Sequence, residues 1–221
     1  MPQTDSQAKS QANSQAKTMK SIATQITGWV RAVNAARKTS GKKFIDKDPS
    51  DIWKAKALLA EHSPIRLVEY DIDIEAIRQW VTVHLVRHHI GVEKFVHSQR
   101  EDRRDLGGIT RDELPQGAEN DMMYSCNAQA LINISRKRCC KGCPSKETQE
   151  AWNMVKESIR EVDPIMADAM VKECVYRGFC PEFQPCGYCF TEEYRKELEA
   201  YRSKSKWAEM KSKIESNAEQ V

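Results

Sequence analysis

The chain has no long apolar run. Nothing in its 221 residues reaches the ~18 consecutive apolar positions that a membrane-spanning helix takes. The N-terminus also lacks the apolar stretch of a secretion signal. The expectation is a soluble cytoplasmic protein without a membrane partner, in a host's cytoplasm if the gene is a virus's. In that compartment the eight cysteines are reduced thiols or metal ligands. Charge of one sign is equally lacking: 35 Lys and Arg against 32 Asp and Glu leave a net +3. That is too small a field for non-specific nucleic-acid binding, so no direct nucleic-acid partner is expected and any anion site is local. There is no G-x-G-x-x-G fingerprint, which argues against a Rossmann cofactor site.

What remains can bury one substantial core. Residues 1–18 hold a four-residue repeat (SQAK, SQAN, SQAK) with no apolar face and read as a disordered low-complexity tail. Spacings of three and four among Ile22, Ile26, Trp29, Val30 and Val33 predict a helix from Met19 to about Arg37, ended by the TSGKK turn. Asp48-Pro49-Ser50 starts a second helix running through Ile52, Ala55, Leu58 and Leu59. The alternation in VEYDIDI sets Val68, Tyr70, Ile72 and Ile74 against Glu69, Asp71 and Asp73, a half-buried antiparallel strand. It feeds a helix carrying Ile77, Trp80, Val81, His84, Leu85 and His88, stopped near Gly91. Val92 to Gln99 reads as a loop or short extended piece, and 101–125 as a surface loop. Helices follow at Asn127–Arg138, with Ala130, Leu131 and Ile134 inward, from Ser145, containing Trp152, Val155, Ile159 and Val162 with Lys146 and Thr148 solvated, and from Asp163-Pro164 to Val171. A last charged helix occupies 191–221, its stripe of Tyr194, Leu198, Tyr201, Met210 and Ile214 too thin for a core and suited to a partner subunit.

All five histidines lie between His62 and His97, and HLVRHHIGVEKFVHSQR gathers four of them with Arg87, Ser98 and Arg100. Such a donor-rich segment suits anions and polar rings. A solvated basic helix end, favoured by the macrodipole, accounts for the same residues equally well.

Arg87-His88-His89, then Ser98-Gln99-Arg100, then Arg111-x-x-Leu114-Pro115, and finally Asn127-Ala128-Gln129-x-Leu131-x-Asn133-x4-Arg138, preceded by AEHSP at 60–64, resemble flavin-dependent thymidylate synthases over roughly positions 27–190. In that family the first motif is R-H-R followed seven residues later by serine, and the last begins N-A-R. Here His89 and Gln129 replace arginines, one extra residue precedes Ser98, and Phe95 or Val96 takes the place of a glutamate. The resemblance implies an α+β fold, an antiparallel sheet with helices and a helix-rich C-terminal part, in one domain over 19–190, assembled as a homotetramer with shared sites.

The reaction implied is methylation of dUMP to dTMP, with methylenetetrahydrofolate as carbon donor, FAD as cofactor and NADPH as reductant. FAD would meet Ser63, Arg87, His88, His89, Asn127 and Asn133. The nucleoside monophosphate would meet His84, Ser98, Gln99, Arg100, Arg111 and Arg138, since guanidiniums bind phosphate bidentately without losing their charge. Arg138 would be the catalytic group, its fixed charge stabilising negative charge on the pyrimidine ring. Each has an ordinary alternative: solvated arginines, a helix cap for Asn127, dipole capping for Arg138, a core position for His84. Related readings are a methylase or hydroxymethylase acting on dCMP or dUMP, and an inactive nucleotide-binding homologue. Cys140-x2-Cys143 and Cys186-x2-Cys189, with Cys174 and Cys180 nearby, have the spacing of zinc ligands and also suit core thiols. A zinc-stabilised interaction module is a third class.

Overall fold

The computed structural model describes residues 18–204. The repeat tail and the Met210 and Ile214 end of the last helix lie outside the described residues. A four-stranded antiparallel sheet in the order β1-β2-β4-β3 is formed by β1 (Lys20–Thr27), β2 (Glu69–Arg78), β3 (Val92–Val96) and β4 (Glu119–Asn127). Among the described residues eight α-helices accompany it: α1 (Trp29–Thr39), α2 (Asp51–Leu59), α3 (Gln79–Val86), α4 (Ala128–Arg138), α5 (Lys146–Val162), α6 (Pro164–Ala169), α7 (Glu173–Arg177) and α8 (Glu192–Ser203). None among the described residues is long and apolar enough to cross a membrane. The fold class is therefore α+β, as the resemblance implied.

β2 realises its alternation: Tyr70, Ile72 and Ile74 are fully buried while Asp73 is exposed. Register carries the pattern across, with Ala23 opposite Ile72, and Ile72 and Ile74 opposite Tyr124 and Met122. The same inner face meets α5, whose Trp152, Val155 and Ile159 are fully buried. Trp152 packs edge-on against Tyr124 at 6.2 Å, and its indole N–H donates to Ser135 Oγ at 2.9 Å. Burying these large side chains is the main stabilising term, worth roughly 2–3 kcal/mol each.

Below them Asp163 anchors β1, β2 and α1 to α6. Its carboxylate accepts from Trp29 Nε1 at 2.6 Å, Tyr70 Oη at 2.7 Å, Gln25 Nε2 at 3.3 Å and the Met166 N–H at 3.0 Å. Burial, and then the Asp163 charge, push the Tyr70 hydroxyl well above its usual range, so it stays a donor.

Four expectations are corrected. The helix from Met19 is a strand up to Thr27, and only the part from Trp29 is helical. Ile22 and Ile26 are four apart, which suits a period of two as well as 3.6; both project from the outer face of the sheet, 56% and 53% exposed. The surface loop gives way at Glu119 to a strand paired on both sides, because Asn120, Met122, Tyr124 and Cys126 alternate inward. Thr148 is fully buried, not solvated. The last helix also packs on its own chain: Tyr194 is buried with Val171, Cys174, Val175 and Tyr188 in a second small core that Leu198 and Tyr201 flank.

Candidate active site

α3 begins where β2 leaves the sheet and ends on the histidine-rich segment. At its C-terminal end the chain gathers Arg138, His88 and His84. Arg138 Nε donates to His88 Nε2 at 3.0 Å, and its Nη2 donates to the His84 carbonyl at 2.7 Å. Accepting that bond obliges the His88 ring to be neutral with its proton on Nδ1. Its surroundings agree: burial first, then the charges of Arg138 and Lys94, lower its pKa to about 4. Lys94 on β3 reaches round to the His88 carbonyl at 2.8 Å. The His84 ring turns away towards α5, with Nδ1 2.8 Å from Thr148 Oγ1. Since that hydroxyl donates to Ser145 Oγ, its oxygen accepts from His84, and the pair ties α3 to the start of α5. The Arg138 guanidinium is thereby fixed in place while remaining half-buried.

Beside this clamp lies a cleft of about 250 Å³ lined by Glu69, His89, Gly91, Val92, Glu93, Ser125, Cys126 and Asn127. Asn127 caps α4 by accepting from the Ala130 N–H at 3.0 Å, which leaves its Nδ2 as a donor. Gly91 sits at φ +71°, and a Cβ there would come within 2.7 Å of Asn127 Nδ2. Glycine is thus required twice over, for the backbone conformation and for the approach of the asparagine. The Cys126 thiol, buried in the cleft wall, is pushed up to about 12 by that burial, which makes it a poor nucleophile at neutral pH.

A third group occupies the outer face of α4. Glu61, at φ +46°, accepts from Gln129 Nε2 and pairs with Arg136. The Arg136 guanidinium also lies 3.5 Å from the centre of the Tyr176 ring. Asn133 Oδ1 accepts from both Gln129 and Arg136 at 3.3 Å. Ser63, exposed, opens a 3₁₀ turn two residues after Glu61.

The remaining expected residues stand at the other end of α3. Gln99 Nε2 meets Gln79 Oε1 at 3.3 Å, where the buried Asn120 also donates at 2.8 Å, and Arg104 donates to Asn120 at 3.2 Å. Ser98 Oγ accepts from the Arg100 N–H, and the Arg100 guanidinium grips Asp102 through two bonds of 2.9 and 2.8 Å. Arg111 opens a 3₁₀ turn whose first N–H rests on Glu101. Between Gln79 and His84 α3 rises about 8 Å, and to its end at Val86 about 10 Å. One chain therefore brings together Arg138, His88 and His84, and places Asn127 with His89, while Ser98, Gln99, Arg100 and Arg111 form a separate group. Arg87 and His89 are both exposed. Gln79, Asn120 and Arg104 escape the sequence reading, which places Thr148 in solvent. The first three were hidden by the unread β4 strand, and Thr148 had only its buried i+4 and i+7 neighbours Trp152 and Val155 as a signal.

No family model matches the chain, and no curated protein matches it by sequence. Solved structures do. It is similar to flavin-dependent thymidylate synthase ThyX from Helicobacter pylori complexed with FAD and dUMP, with a TM-score of 0.58 and 15% identity over 69% of this chain and 100% of that one. A second ThyX structure from the same organism, with FAD and dUMP, gives 0.56 and 16% over 69% and 99%. The UMP/dUMP methylase PolB from Streptomyces cacaoi, bound with 5-Br dUMP, gives 0.55 and 15% over 73% and 96%. The chain shares the fold of these proteins.

Proposed function

We propose that this protein is a divergent flavin-dependent methylase of a pyrimidine nucleoside monophosphate, converting dUMP to dTMP. In balance, dUMP, methylenetetrahydrofolate, NADPH and a proton yield dTMP, tetrahydrofolate and NADP⁺. The observation that carries the reading is the clamped Arg138. A guanidinium held by a neutral imidazole and a backbone carbonyl is a preorganised positive charge that needs no rearrangement when negative charge develops on a pyrimidine ring. It raises the nucleophilicity of the ring carbon without a covalent cysteine adduct, and the cysteine lining the adjacent cleft is held protonated.

FAD, when bound, supplies the hydride relay from NADPH. The fit is partial within one chain. His89, the Asn127 amide and the side-chain-free backbone of Gly91 suit the hydrogen-bonding edge of a flat ring. The carboxylates of Glu69 and Glu93 do not suit its pyrophosphate, and about 250 Å³ is small for a dinucleotide. In this reading a second copy completes the site, bringing its Ser98, Arg100 and Arg111 to the Arg138 of the first, in keeping with a homotetramer. Arg100 already grips a carboxylate in the two-pronged geometry that a phosphate would take over from Asp102.

The test is incubation of the full chain with FAD, NADPH, methylenetetrahydrofolate and dUMP, dCMP or UMP in turn, followed by product mass. A gain of one methylene on dUMP is expected. A gain of CH₂O, or product from dCMP alone, favours the hydroxymethylase or dCMP reading that His89 and the extra residue before Ser98 motivate. Protein that takes up no flavin and turns over none of the nucleotides overturns the enzyme altogether.

A further inference from the structure

Asn120 breaks the apolar inner row of β4. It stands where the alternation of the strand turns Met122, Tyr124 and Cys126 into the core, and it is 1% exposed. A buried amide is costly unless it is hydrogen-bonded, so its partners say what the position is for. Its Nδ2 donates to Gln79 Oε1 at 2.8 Å, in the first turn of α3. Its Oδ1 accepts from the Asp121 N–H at 3.0 Å and from Arg104 Nη1 at 3.2 Å. Arg104 Nη2 donates in addition to the Glu119 carbonyl at 3.1 Å. The guanidinium is thus plugged into β4 through both of its terminal nitrogens.

Arg104 comes from the polar arm 98–111, which also carries Ser98, Arg100 and Arg111. Burial does little to hold that arm: Arg103, Asp105 and residues 107–113 are exposed, and Leu106 is half-buried. The bonds instead run from Arg104 to each of the three. Its own N–H and that of Arg103 donate to the Arg100 carbonyl at 3.0 and 2.9 Å. The Arg100 N–H rests on Ser98 Oγ at 3.2 Å, and Glu101 Oε1 accepts from the Arg111 N–H at 3.0 Å. Gln99 Nε2 closes the circuit at 3.3 Å on the same Gln79 Oε1 that Asn120 uses. The Arg100 side chain stays 58% exposed, so the turn is anchored while its guanidinium is left outside.

We propose that Arg104 and Asn120 are positioning residues for the substrate phosphate: they hold the Arg100 turn against β4 and α3, so that Ser98, Arg100 and Arg111 meet the phosphate already in place. This rests on the nucleotide reading above. Arg104 is a cation of the arm that does not face the ligand, because both terminal nitrogens already donate inward. Bonds from a charged donor are stronger than neutral ones, and the planar fork fixes direction as well as distance. An unanchored arm loses its conformational freedom when phosphate binds. An anchored one has lost it on folding, which raises affinity without a new contact. The phosphate is remote from the ring carbon that reacts, so a misplaced arm weakens nucleotide binding more than it slows the chemical step.

Calorimetric titration of dUMP, dCMP and UMP into the flavin-loaded full chain reads the arm, since the phosphate is common to the three. For the nucleotide that binds, Arg104→Met is expected to weaken affinity about 10–100-fold and to raise KM by a similar factor, with kcat within about threefold and flavin uptake unchanged. Asn120→Ala is expected to act through Arg104, so the double variant binds no more weakly than the weaker single one. Arg104→Lys keeps the charge without the fork and should recover little. Hydrogen exchange over 98–111 should quicken in Arg104→Met with no nucleotide present. Neither variant orphans a buried group, because Asn120 Oδ1 keeps the Asp121 N–H and Gln79 Oε1 keeps Gln99. Should Asn120→Ala still fail to fold, the half-buried Arg104 decides. Unchanged nucleotide affinity or unchanged exchange in Arg104→Met, losses that multiply in the double variant, or full recovery with lysine overturns the proposal. A wild-type chain that binds none of the three nucleotides, with or without flavin, overturns the nucleotide reading and this one with it. That outcome is distinct from wild-type binding that the variants leave intact, which sinks the positioning role alone.

Discussion

Replacing Gly91 by alanine tests how the cleft is built. Two effects act together. At φ +71° an alanine occupies a left-handed conformation that costs about 1–2 kcal/mol. The new methyl would also stand 2.7 Å from Asn127 Nδ2 and displace that side chain from the α4 N-cap, a loss of about 1 kcal/mol. The sum, about 2–3 kcal/mol, lowers the melting temperature of a domain of this size by about 5–10 °C. Asn127→Ala alone should cost about 1 kcal/mol, and the double variant less than the sum, because the cap can be lost only once. Urea unfolding of the four proteins gives the cycle, and flavin titration of the two single variants reports the cleft. If Gly91→Ala unfolds within about 0.5 kcal/mol of wild type, or the two changes simply add, the close approach does not have the role given to it here.

Other parts of the structure carry consequences of the same kind. Arg138→Gln should lower turnover by about 10²–10³-fold while leaving the unfolding midpoint nearly unchanged, since what is removed is a directed charge and not a core side chain; equal losses in stability and rate would contradict this. His88, with a folded pKa of about 4 against an ordinary 6.5, is favoured neutral in the fold, so the unfolded chain takes up the proton first as pH falls. Its contribution to stability is full above pH 6.5 and is lost progressively between 6.5 and 4, whereas turnover of the folded enzyme should fall only as pH approaches about 4, where the imidazole takes up its proton and the acceptor for Arg138 disappears. NMR titration of the imidazole checks this, and a His88 midpoint near 6.5 would refute it. Asp163→Ala strands the Trp29 and Tyr70 donors in the core and should cost about 3–5 kcal/mol in urea unfolding, far more than a surface carboxylate; a cost below about 1 kcal/mol would mean that water replaces the carboxylate.

The sequence by itself determined the elements whose pattern has one solution. Strict alternation in β2 admits only a half-buried strand, and Asn127 and Ser145 cap the helices that begin after them. The motif residues likewise pointed to the fold, because their spacing along the chain is independent of how the chain turns. Periodicity could not separate helix from strand at Ile22 and Ile26, where a spacing of four satisfies both. Nor could it raise β4 out of a polar stretch, where burial falls on asparagine, methionine, tyrosine and cysteine. Only the tertiary structure decided which polar residues meet: that Arg138 is held by His88 and His84, that Gly91 must yield to Asn127, and that Cys140 lies beside Cys186 from 46 positions away. Those partners come from different elements, and their encounter is fixed by sheet register and helix packing, which no local pattern of side chains encodes.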